Sequence, residues 1–193
     1  MIWNNLIDKK VILGSQSPRR MELLKSMGVE FETLTADLNE NYPDHLQKEE
    51  IPLYLAKLKA DFLSQQITSN DVLITADTIV WQNGKALNKP RDKSEAFQML
   101  SALSGATHSI FTGIYVRFAD QHWHQFDETK VTFNSLTSDE IEYYIEHYSP
   151  FDKAGSYGAQ DFIGIVGIRS LAGSYFNVMG LPTHLLFSIL KSI

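Results

Sequence analysis

The residues Leu-Gly-Ser-Gln-Ser-Pro-Arg-Arg at positions 13–20 restrict this part of the chain to a strand followed at once by a helix. The run Val-Ile-Leu that leads into this segment is typical of a buried strand. Ser17 is a favourable N-cap residue, and Pro18 fits the first helical position because its missing N–H is not needed there. The segment therefore predicts a strand near 11–15 and a helix near 18–27.

Two arginines occupy the first turn of that predicted helix. Arg19 and Arg20 lie where the helix dipole is positive and where carboxylates are preferred. A capping box would place glutamate at position 20. Cations at this end of a helix are suited to binding a phosphate group. The alternative is a pair of solvated arginines on a surface helix, but the strand, the serine-rich turn and the basic helix start together favour a phosphate site.

The composition is that of an ordinary globular protein of the cell interior. Its 193 residues are 44% hydrophobic and 21% charged, which allows a real core in one domain or two closely joined lobes. The absence of cysteine excludes disulfides, cysteine zinc sites and a thiol nucleophile. A net charge of −6 argues against binding to a nucleic-acid polymer. The sequence has neither a signal-peptide pattern nor a membrane-spanning stretch, so we expect a cytoplasmic protein without membrane contact.

Strand and helix patterns alternate along the rest of the chain. Further strands are predicted near 31–36, 72–80, 108–119 and 122–136, and further helices near 51–67, 93–103, 138–148 and 182–191. Asn83-Gly84 is a strong signal for a type I′ hairpin. Residues 152–175 are rich in glycine and contain strand-like pieces. Because hairpins and crossovers both occur, we predict an α/β fold with a mixed sheet.

Asp77 carries a charge at a position where charge is costly. It lies within the apolar strand predicted at 72–80 and well before the Asn-Gly turn. An isolated buried carboxylate costs several kcal/mol unless it is paired, hydrogen-bonded or bound to a metal. Asp77 is therefore either a functional carboxylate or one partner of a structural salt bridge.

Lys59 is the second charge at a costly position. On the helix predicted at 51–67 it falls within an apolar stripe, whereas Lys57 points to the opposite side. The stripe consists of Ile51, Leu55, Leu58 and Phe62. Such a lysine either snorkels past the edge of the core or reaches into a cleft, and periodicity alone does not separate the two.

Other polar groups give weaker signals. Lys89 begins a Lys-Pro-Arg-Asp loop and is either an ordinary basic residue or a second phosphate contact. Glu40 is either a metal ligand or a solvated carboxylate, and Gln160 ends a loop rich in glycine. His122 and His124 share a strand face without a third ligand, which argues against zinc. No P-loop, dinucleotide fingerprint or nucleophile-elbow motif occurs, which excludes the corresponding kinases, dehydrogenases and hydrolases.

These motifs, taken in order, resemble those of the Maf nucleoside triphosphate pyrophosphatases over nearly the whole chain. Residues 15–20 resemble the family's Ser-x-Ser-Pro-Arg-Arg segment, and 76–80 resemble its Ala-Asp-Thr-Ile/Val-Val strand. Residues 89–92 resemble its Lys-Pro motif. The remaining matches lie at 103–108, 152–160 and 173–182. Six matches in register argue against a chance resemblance.

The resemblance implies a single domain over residues 1–193, with an elongated mixed sheet, flanking helices and a cleft between two lobes. It implies a homodimer that cleaves nucleoside triphosphates between the α and β phosphates with a divalent metal, Mg²⁺ or Mn²⁺. Asp77 becomes the general base and Glu40 joins it near the metal. The phosphate-binding residues carried over from the family are Ser15, Ser17, Arg20, Lys59 and Lys89.

The resemblance also implies a nucleobase preference. Arg19, Thr78 and Gln160 match the family's dTTP/UTP branch, whereas the 7-methyl-GTP branch tends to have an aromatic residue, Gln and Glu at these positions. A Gln160 amide both donates and accepts hydrogen bonds, so it can pair with the N3–H and a carbonyl of uracil or thymine. We therefore expect dTTP and UTP, and modified pyrimidine nucleotides among them, to be the substrates.

Two other functions are compatible with these motifs. A nucleotide-binding regulator of septum formation with little turnover would share the phosphate site but would not need Asp77 in an apolar strand. A purine-directed enzyme related to inosine triphosphate pyrophosphatase would catalyse the same reaction in a similar fold. Its first motif, however, carries Asn and Lys in place of Pro-Arg-Arg.

Overall fold

The computed structural model describes residues 2–193, in which strands and helices alternate along most of the chain. The strands are β1 (Lys10–Leu13), β2 (Glu32–Thr33), β3 (Asp71–Gln82), β4 (Lys85–Leu87), β5 (Thr107–Phe118), β6 (Gln121–Phe133) and β7 (Ile168–Ala172). The α-helices are α1 (Pro18–Ser26), α2 (Glu50–Leu63), α3 (Lys93–Leu103), α4 (Ser138–Tyr148), α5 (Phe162–Gly167), α6 (Tyr175–Val178) and α7 (Thr183–Ser192). Short 3₁₀-helices cover Asn4–Leu6, Ser64–Gln66, Pro150–Asp152 and Ala154–Ser156.

The strands form one mixed sheet, which confirms the predicted α/β class. Within residues 2–193 the sheet has seven strands in the order β2-β1-β3-β5-β6-β7, with β4 paired to β3. Strand β1 pairs in parallel with β2 and β3, as expected of strands that are joined through helices. The pairs β3–β4 and β6–β7 are antiparallel.

The turn between β3 and β4 is the predicted hairpin. Asn83 and Gly84 both have positive φ, at 51° and 78°, which is the backbone that a type I′ turn requires. Gln82 pairs with Lys85 directly across the turn. The tight connection sends the chain back along β3 and ends β4 at Leu87, two residues before Lys89.

The chain divides into two compact units, each with its own buried core. Unit 1 contains the residues up to Asp77, Thr112–Asp127 and Gly180–Ile193, and unit 2 contains Thr78–Phe111 and Glu128–Met179. A core cluster of unit 1 is formed by Ile12, Ala56, Ala60, Leu63, Leu73 and Tyr115. The largest buried side chains of unit 2 include Leu100, Leu103, Phe133, Tyr144 and Ile163. No helix within residues 2–193 is long and apolar enough to cross a membrane.

The glycine-rich segment differs from its prediction. Strand pieces were expected within 152–175, and β7 is one, but the helix α5 that precedes it was not expected. Gly164 explains the difference, because a Cβ at this position would lie 2.4 Å from the carbonyl oxygen of Ala159. The glycine permits close packing of a short helix against the preceding loop, and strand-like composition does not reveal such packing.

The buried face of α2 also differs from its prediction. Phe62 is 42% exposed and Leu58 is half-buried, although both were placed in the apolar stripe. The buried face instead centres on Ala56, Lys59 and Leu63. Small residues on this face allow α2 to approach the sheet closely. A prediction from apolar periodicity does not take the size of the residues into account. Lys59 therefore lies nearer to the middle of the buried face than the stripe indicated.

Candidate active site

The site begins where β1 ends against β3. The Gly14 N–H donates to the Ile74 carbonyl oxygen at 2.7 Å, which continues the pairing of the two strands. A Cβ on Gly14 would lie 2.5 Å from the Leu63 side chain and 2.7 Å from that of Thr75. Only glycine fits at this crossing of β1, β3 and α2. The next residue, Ser15, is buried as a result.

Ser15 organises the turn into α1. Its hydroxyl oxygen accepts hydrogen bonds from the Ser17 N–H at 3.2 Å and from Arg20 Nη1 at 3.3 Å. Pro18 occupies the first helical position, as predicted. Ser17 stands at the N-cap with an extended backbone, but its side chain accepts no hydrogen bond from α1 within the described residues. Ser17 is therefore the N-cap residue, as predicted, but the turn is closed by the Ser15 hydroxyl.

Arg20 is directed inward from the first turn of α1. Its Nε–H donates to the carbonyl oxygen of Gly180 at 2.8 Å, which ties α1 to the start of the last segment of unit 1. Burial lowers the pKa of the Arg20 guanidinium, whereas attraction to Asp77 and Glu40 raises it and repulsion from Arg19 lowers it. The guanidinium stays charged all the same, since arginine is not deprotonated in proteins. Arg20 is thus part of one electrostatic group with both carboxylates.

Lys59 bridges those two carboxylates. Its ammonium lies 2.5 Å from Asp77 Oδ1 and 2.8 Å from Glu40 Oε1. Lys59 is 7% exposed and Asp77 8%, so both charges are buried as the sequence predicted. The lysine reaches into the cluster and does not snorkel. A buried ion pair costs desolvation of both groups. A structural pair requires one carboxylate for the lysine, whereas the Lys59 ammonium contacts two.

The two carboxylates supply ligands suited to a hard divalent cation. Mg²⁺ is commonly held by one or two carboxylates together with phosphate oxygens and water, so a larger protein ligand set is not needed. Asp77 comes from the apolar strand β3, and Glu40 comes from an irregular segment where its side chain is 41% exposed. Among residues 2–193 no group of three or more metal-ligating side chains occurs. Asp77 and Glu40 are therefore the residues that fit a metal bound together with a polyphosphate.

The remaining predicted site residues have different surroundings. Arg19 is half-buried in the first turn of α1, in unit 1. Thr78 is half-buried next to Asp77 in β3, and Lys89 is exposed between β4 and α3; both belong to unit 2. Gln160, also in unit 2, lies in the loop before α5. Its carbonyl oxygen Oε1 is buried and has no hydrogen-bond partner among the described residues.

The sequence did not indicate the residues that hold the loop of Gln160. The Tyr157 hydroxyl and His108 Nε2 are hydrogen-bonded at 2.6 Å, and the Tyr144 hydroxyl donates to Asp161 Oδ2 at 2.8 Å. Tyr144 belongs to the apolar face of α4, where an aromatic residue is expected simply to fill the core. Its partner lies 17 residues away, and nothing in the local pattern reveals that pairing.

Comparison with known proteins gives a consistent assignment. The family model described as Maf-like protein matches residues 10–193. A dTTP/UTP pyrophosphatase of Bacteroides fragilis is 49% identical over 190 residues, 98% of each chain. A dTTP/UTP pyrophosphatase of Porphyromonas gingivalis is 46% identical over 97% of this chain and 96% of its own. One of Flavobacterium johnsoniae is 41% identical over the full length of both chains.

Proposed function

The chain belongs to the Maf-like protein family, and from this premise we propose that it hydrolyses dTTP and UTP to the nucleoside monophosphate and pyrophosphate. Relatives that share 41–49% of their residues with it over nearly the full length are named dTTP/UTP pyrophosphatases. The structural observation that carries the proposal is the buried cluster of Asp77, Lys59 and Glu40, with Arg20 in the same electrostatic group. The chain is accordingly a nucleoside triphosphate pyrophosphatase.

The triphosphate would bind at the basic start of α1. Helix N–H groups and the hydroxyls of Ser15 and Ser17 donate to phosphate oxygens, and the Arg20 guanidinium supplies charge-assisted hydrogen bonds. Lys59 and the exposed Lys89 complete the proposed phosphate cradle. A site of this kind stabilises the negative charge that grows on the departing pyrophosphate.

Asp77 is the proposed general base. It accepts a proton from a water molecule whose oxygen attacks the α-phosphorus, and the bond from that phosphorus to the bridging oxygen of the β-phosphate breaks. The electron pair of that bond leaves with pyrophosphate. The ion pair with Lys59 offsets the desolvation cost of the ionised carboxylate within the apolar strand β3. A positioned base of this kind contributes about 10²- to 10⁴-fold to the rate.

Asp77 and Glu40 would also hold the divalent cation that the family resemblance implies, Mg²⁺ or Mn²⁺. When bound, that ion neutralises charge on the triphosphate and polarises its phosphoryl oxygens. Asp77 lies within β3, and Glu40 lies in the irregular segment between β2 and α2.

Gln160, with Arg19 and Thr78, is the proposed determinant of base choice. Its buried carbonyl oxygen makes no hydrogen bond within residues 2–193, so turning it toward the N3–H of thymine or uracil sacrifices no existing bond. The amide N–H₂ group then donates to an adjacent base carbonyl. No residue of the proposed site is assigned to the 2′-hydroxyl, so deoxy and ribo forms are both expected as substrates.

The organisation of the protein around this site stays a prediction. We infer that residues 1–193 act as a single catalytic domain, since β3 runs from one unit into the other. The homodimer and the cytoplasmic location are carried over from the family resemblance and from composition. A nucleoside triphosphate is the substrate that the proposed site binds together with the divalent cation.

The proposal is tested by incubating the purified protein with Mg²⁺ and each nucleotide in turn and measuring pyrophosphate. We expect kcat/KM for dTTP and UTP to be well above that for dATP, dGTP and 7-methyl-GTP. A preference for 7-methyl-GTP would reject the pyrimidine assignment but keep the reaction. A preference for purines would favour the inosine triphosphate pyrophosphatase-like alternative, and binding without turnover would favour the regulator.

A further inference from the structure

The loop that carries Gln160 is closed by one tyrosine hydroxyl. The Tyr144 hydroxyl donates to Asp161 Oδ2 at 2.8 Å and accepts a hydrogen bond from the Gly158 N–H at 3.2 Å. The Asp161 N–H in turn donates to the Gly158 carbonyl oxygen at 3.1 Å. Gln160 stands between the two residues that Tyr144 holds. All of these groups belong to unit 2.

Tyr144 is a rigid support for this loop. Its side chain is fully buried, and it lies on α4, whose first turn is fixed by a capping box between Thr137 and Glu140. Burial and the hydrogen bond to Asp161 raise the pKa of the Tyr144 hydroxyl, so it is protonated and available as a donor at neutral pH.

Asp161 is held from a second side as well. Lys153 Nζ lies 3.6 Å from Asp161 Oδ2 and 2.8 Å from Asp152 Oδ1. A Cβ on Gly158 would lie 2.6 Å from Asp161 Oδ2, so the carboxylate occupies the space that any other residue at 158 would fill. The Asp161 carbonyl oxygen also accepts the Ile165 N–H in the first turn of α5. Asp161 thus connects the loop to α4 through its carboxylate and to α5 through its backbone carbonyl.

We propose that Tyr144 is a positioning residue for base recognition, which acts through Asp161 and the Gly158 N–H to set the Gln160 amide. The inference rests on the proposed function, since it assigns a role in choosing the base rather than in cleaving the anhydride. Loss of the hydroxyl removes a donor from the partly buried Asp161 carboxylate, which Lys153 still contacts, and takes from the buried Gly158 N–H its acceptor, so the loop relaxes. Gln160 then meets the base in several orientations, at a cost in binding and selectivity.

The test compares Tyr144→Phe with Tyr148→Phe. Tyr148 lies on the same helix with its ring 5.2 Å from that of Tyr144, and its exposed hydroxyl makes no hydrogen bond within the described residues. For Tyr144→Phe we expect KM for dTTP to rise about tenfold with kcat within about twofold of wild type. The preference for dTTP over dGTP should fall by a similar factor. Tyr148→Phe should leave both quantities unchanged.

A double variant separates positioning from general loosening. If Tyr144 acts through Gln160, adding Tyr144→Phe to Gln160→Ala causes no further loss of selectivity, because the affected group is already gone. Additive losses, or a fall in kcat with an unchanged KM, would overturn the inference. Asp161→Asn and Asp161→Leu provide a second test. The asparagine side-chain carbonyl oxygen still accepts a hydrogen bond from Tyr144, so Asp161→Asn should keep more selectivity than Asp161→Leu. Equal selectivity in these two variants would also overturn it.

The same measurements keep the two proposals apart. Wild-type protein that does not hydrolyse dTTP would reject the proposed function itself. Wild-type protein that hydrolyses dTTP with full selectivity retained in Tyr144→Phe would reject only the positioning role.

Discussion

At the scale of single residues, the charge balance around the Lys59 ammonium decides how the site responds to substitution. The ammonium contacts Asp77 and Glu40, so removal of one carboxylate still leaves a charged partner. Removal of the ammonium, by contrast, takes away the cation that the two carboxylates share. The two kinds of substitution therefore have different consequences for folding and for catalysis.

Asp77→Asn should fold and lose activity. Asparagine retains the shape of the side chain, and Glu40 still neutralises Lys59, but an amide does not accept the proton of the attacking water. We expect kcat for dTTP to fall by about 10²- to 10⁴-fold. Steady-state pyrophosphate release measures this, with Asp120→Asn in the exposed β5–β6 turn as the matched control. A purified Asp77→Asn protein that turns over at the wild-type rate would exclude Asp77 as the base.

Lys59→Met and Lys57→Met form a matched pair on α2. Lys57 is exposed, and its ammonium lies 2.5 Å from Asp61 Oδ2 on the same helix. Exposed ion pairs contribute about 0–1 kcal/mol to the free energy of unfolding. Lys59→Met should lower kcat/KM for dTTP by about 10- to 100-fold, since a charge-assisted contact to the triphosphate is lost. Lys57→Met should change it by less than about twofold. Equal effects in the two variants would remove Lys59 from the phosphate cradle.

The site residues that could be predicted from the sequence are those whose burial has a high free-energy cost. Asp77 and Lys59 stand out because charged side chains interrupt apolar patterns, and the structure places both in the core. Glu40 gives no such signal, since it lies in an irregular polar stretch and is half-exposed. Tyr144 gives none either, because its hydroxyl partner is set by the packing of α4 against the loop before α5.

At the scale of elements, substitutions at two glycines distinguish the conformational cost of adding a side chain from its steric cost. Gly84 has φ at +78° in the β3–β4 turn, with no atom within 4 Å of an added Cβ. Gly113 in β5 would place a Cβ 2.6 Å from the Leu53 nitrogen in the first turns of α2. The first position therefore resists substitution through its backbone angle, and the second through a clash with backbone that has to move.

Gly84→Ala and Gly113→Ala should accordingly differ in stability. We expect the first to lower the free energy of unfolding by about 1 kcal/mol, the cost of a left-handed backbone for alanine. The second should lower it by about 3 kcal/mol or more, because a tightly packed helix has to shift. Urea unfolding monitored by circular dichroism measures both. A Gly113→Ala protein as stable as Gly84→Ala would contradict the close packing of β5 against α2.

Elements with strong local signals were predictable, and those fixed by packing were not. Helices α3 and α4 match their predicted bounds, since each has an N-cap residue and a clear apolar face. The hairpin at Asn83 follows from turn chemistry alone. The short helices α5 and α6 were missed, because six or fewer residues give too little periodicity to read. Their positions depend instead on contacts such as that of Gly164 with the loop before it.

At the scale of the whole molecule, the mixed sheet was predictable in kind but not in order. Hairpin signals and helical crossovers together imply both antiparallel and parallel pairing. Which strand lies beside which is decided by contacts between residues far apart in sequence. The separation of the chain into two units, each drawn from several segments, likewise has no signal in local composition.

Global stability should fall in acid because of one buried histidine. His108 is 3% exposed, between the rings of Phe133 and Tyr157, and burial lowers its pKa from 6.5 to about 4. The unfolded chain takes up a proton below pH 6.5, whereas the folded protein does so only near pH 4. The contribution of this group to the free energy of unfolding is therefore fully present above pH 6.5. It decreases by about 3 kcal/mol as the pH falls toward 4.

Comparison of wild type with His108→Gln isolates that contribution. The free energy of unfolding is measured by urea titration at several values between pH 7 and pH 4. The wild-type curve should fall more steeply than that of the variant, by about 3 kcal/mol across the range. Parallel curves for the two proteins would show that His108 does not titrate differently in the folded and unfolded states.

Isotope labelling shows whether water attacks the α-phosphorus of a pyrimidine nucleoside triphosphate. Hydrolysis of dTTP by the wild-type protein with Mg²⁺ in ¹⁸O-labelled water, followed by mass spectrometry of the products, identifies both the bond that breaks and the atom attacked. We expect equal amounts of dTMP and pyrophosphate, with one labelled oxygen in dTMP and none in pyrophosphate. Label in pyrophosphate, or release of dTDP and inorganic phosphate, would contradict it.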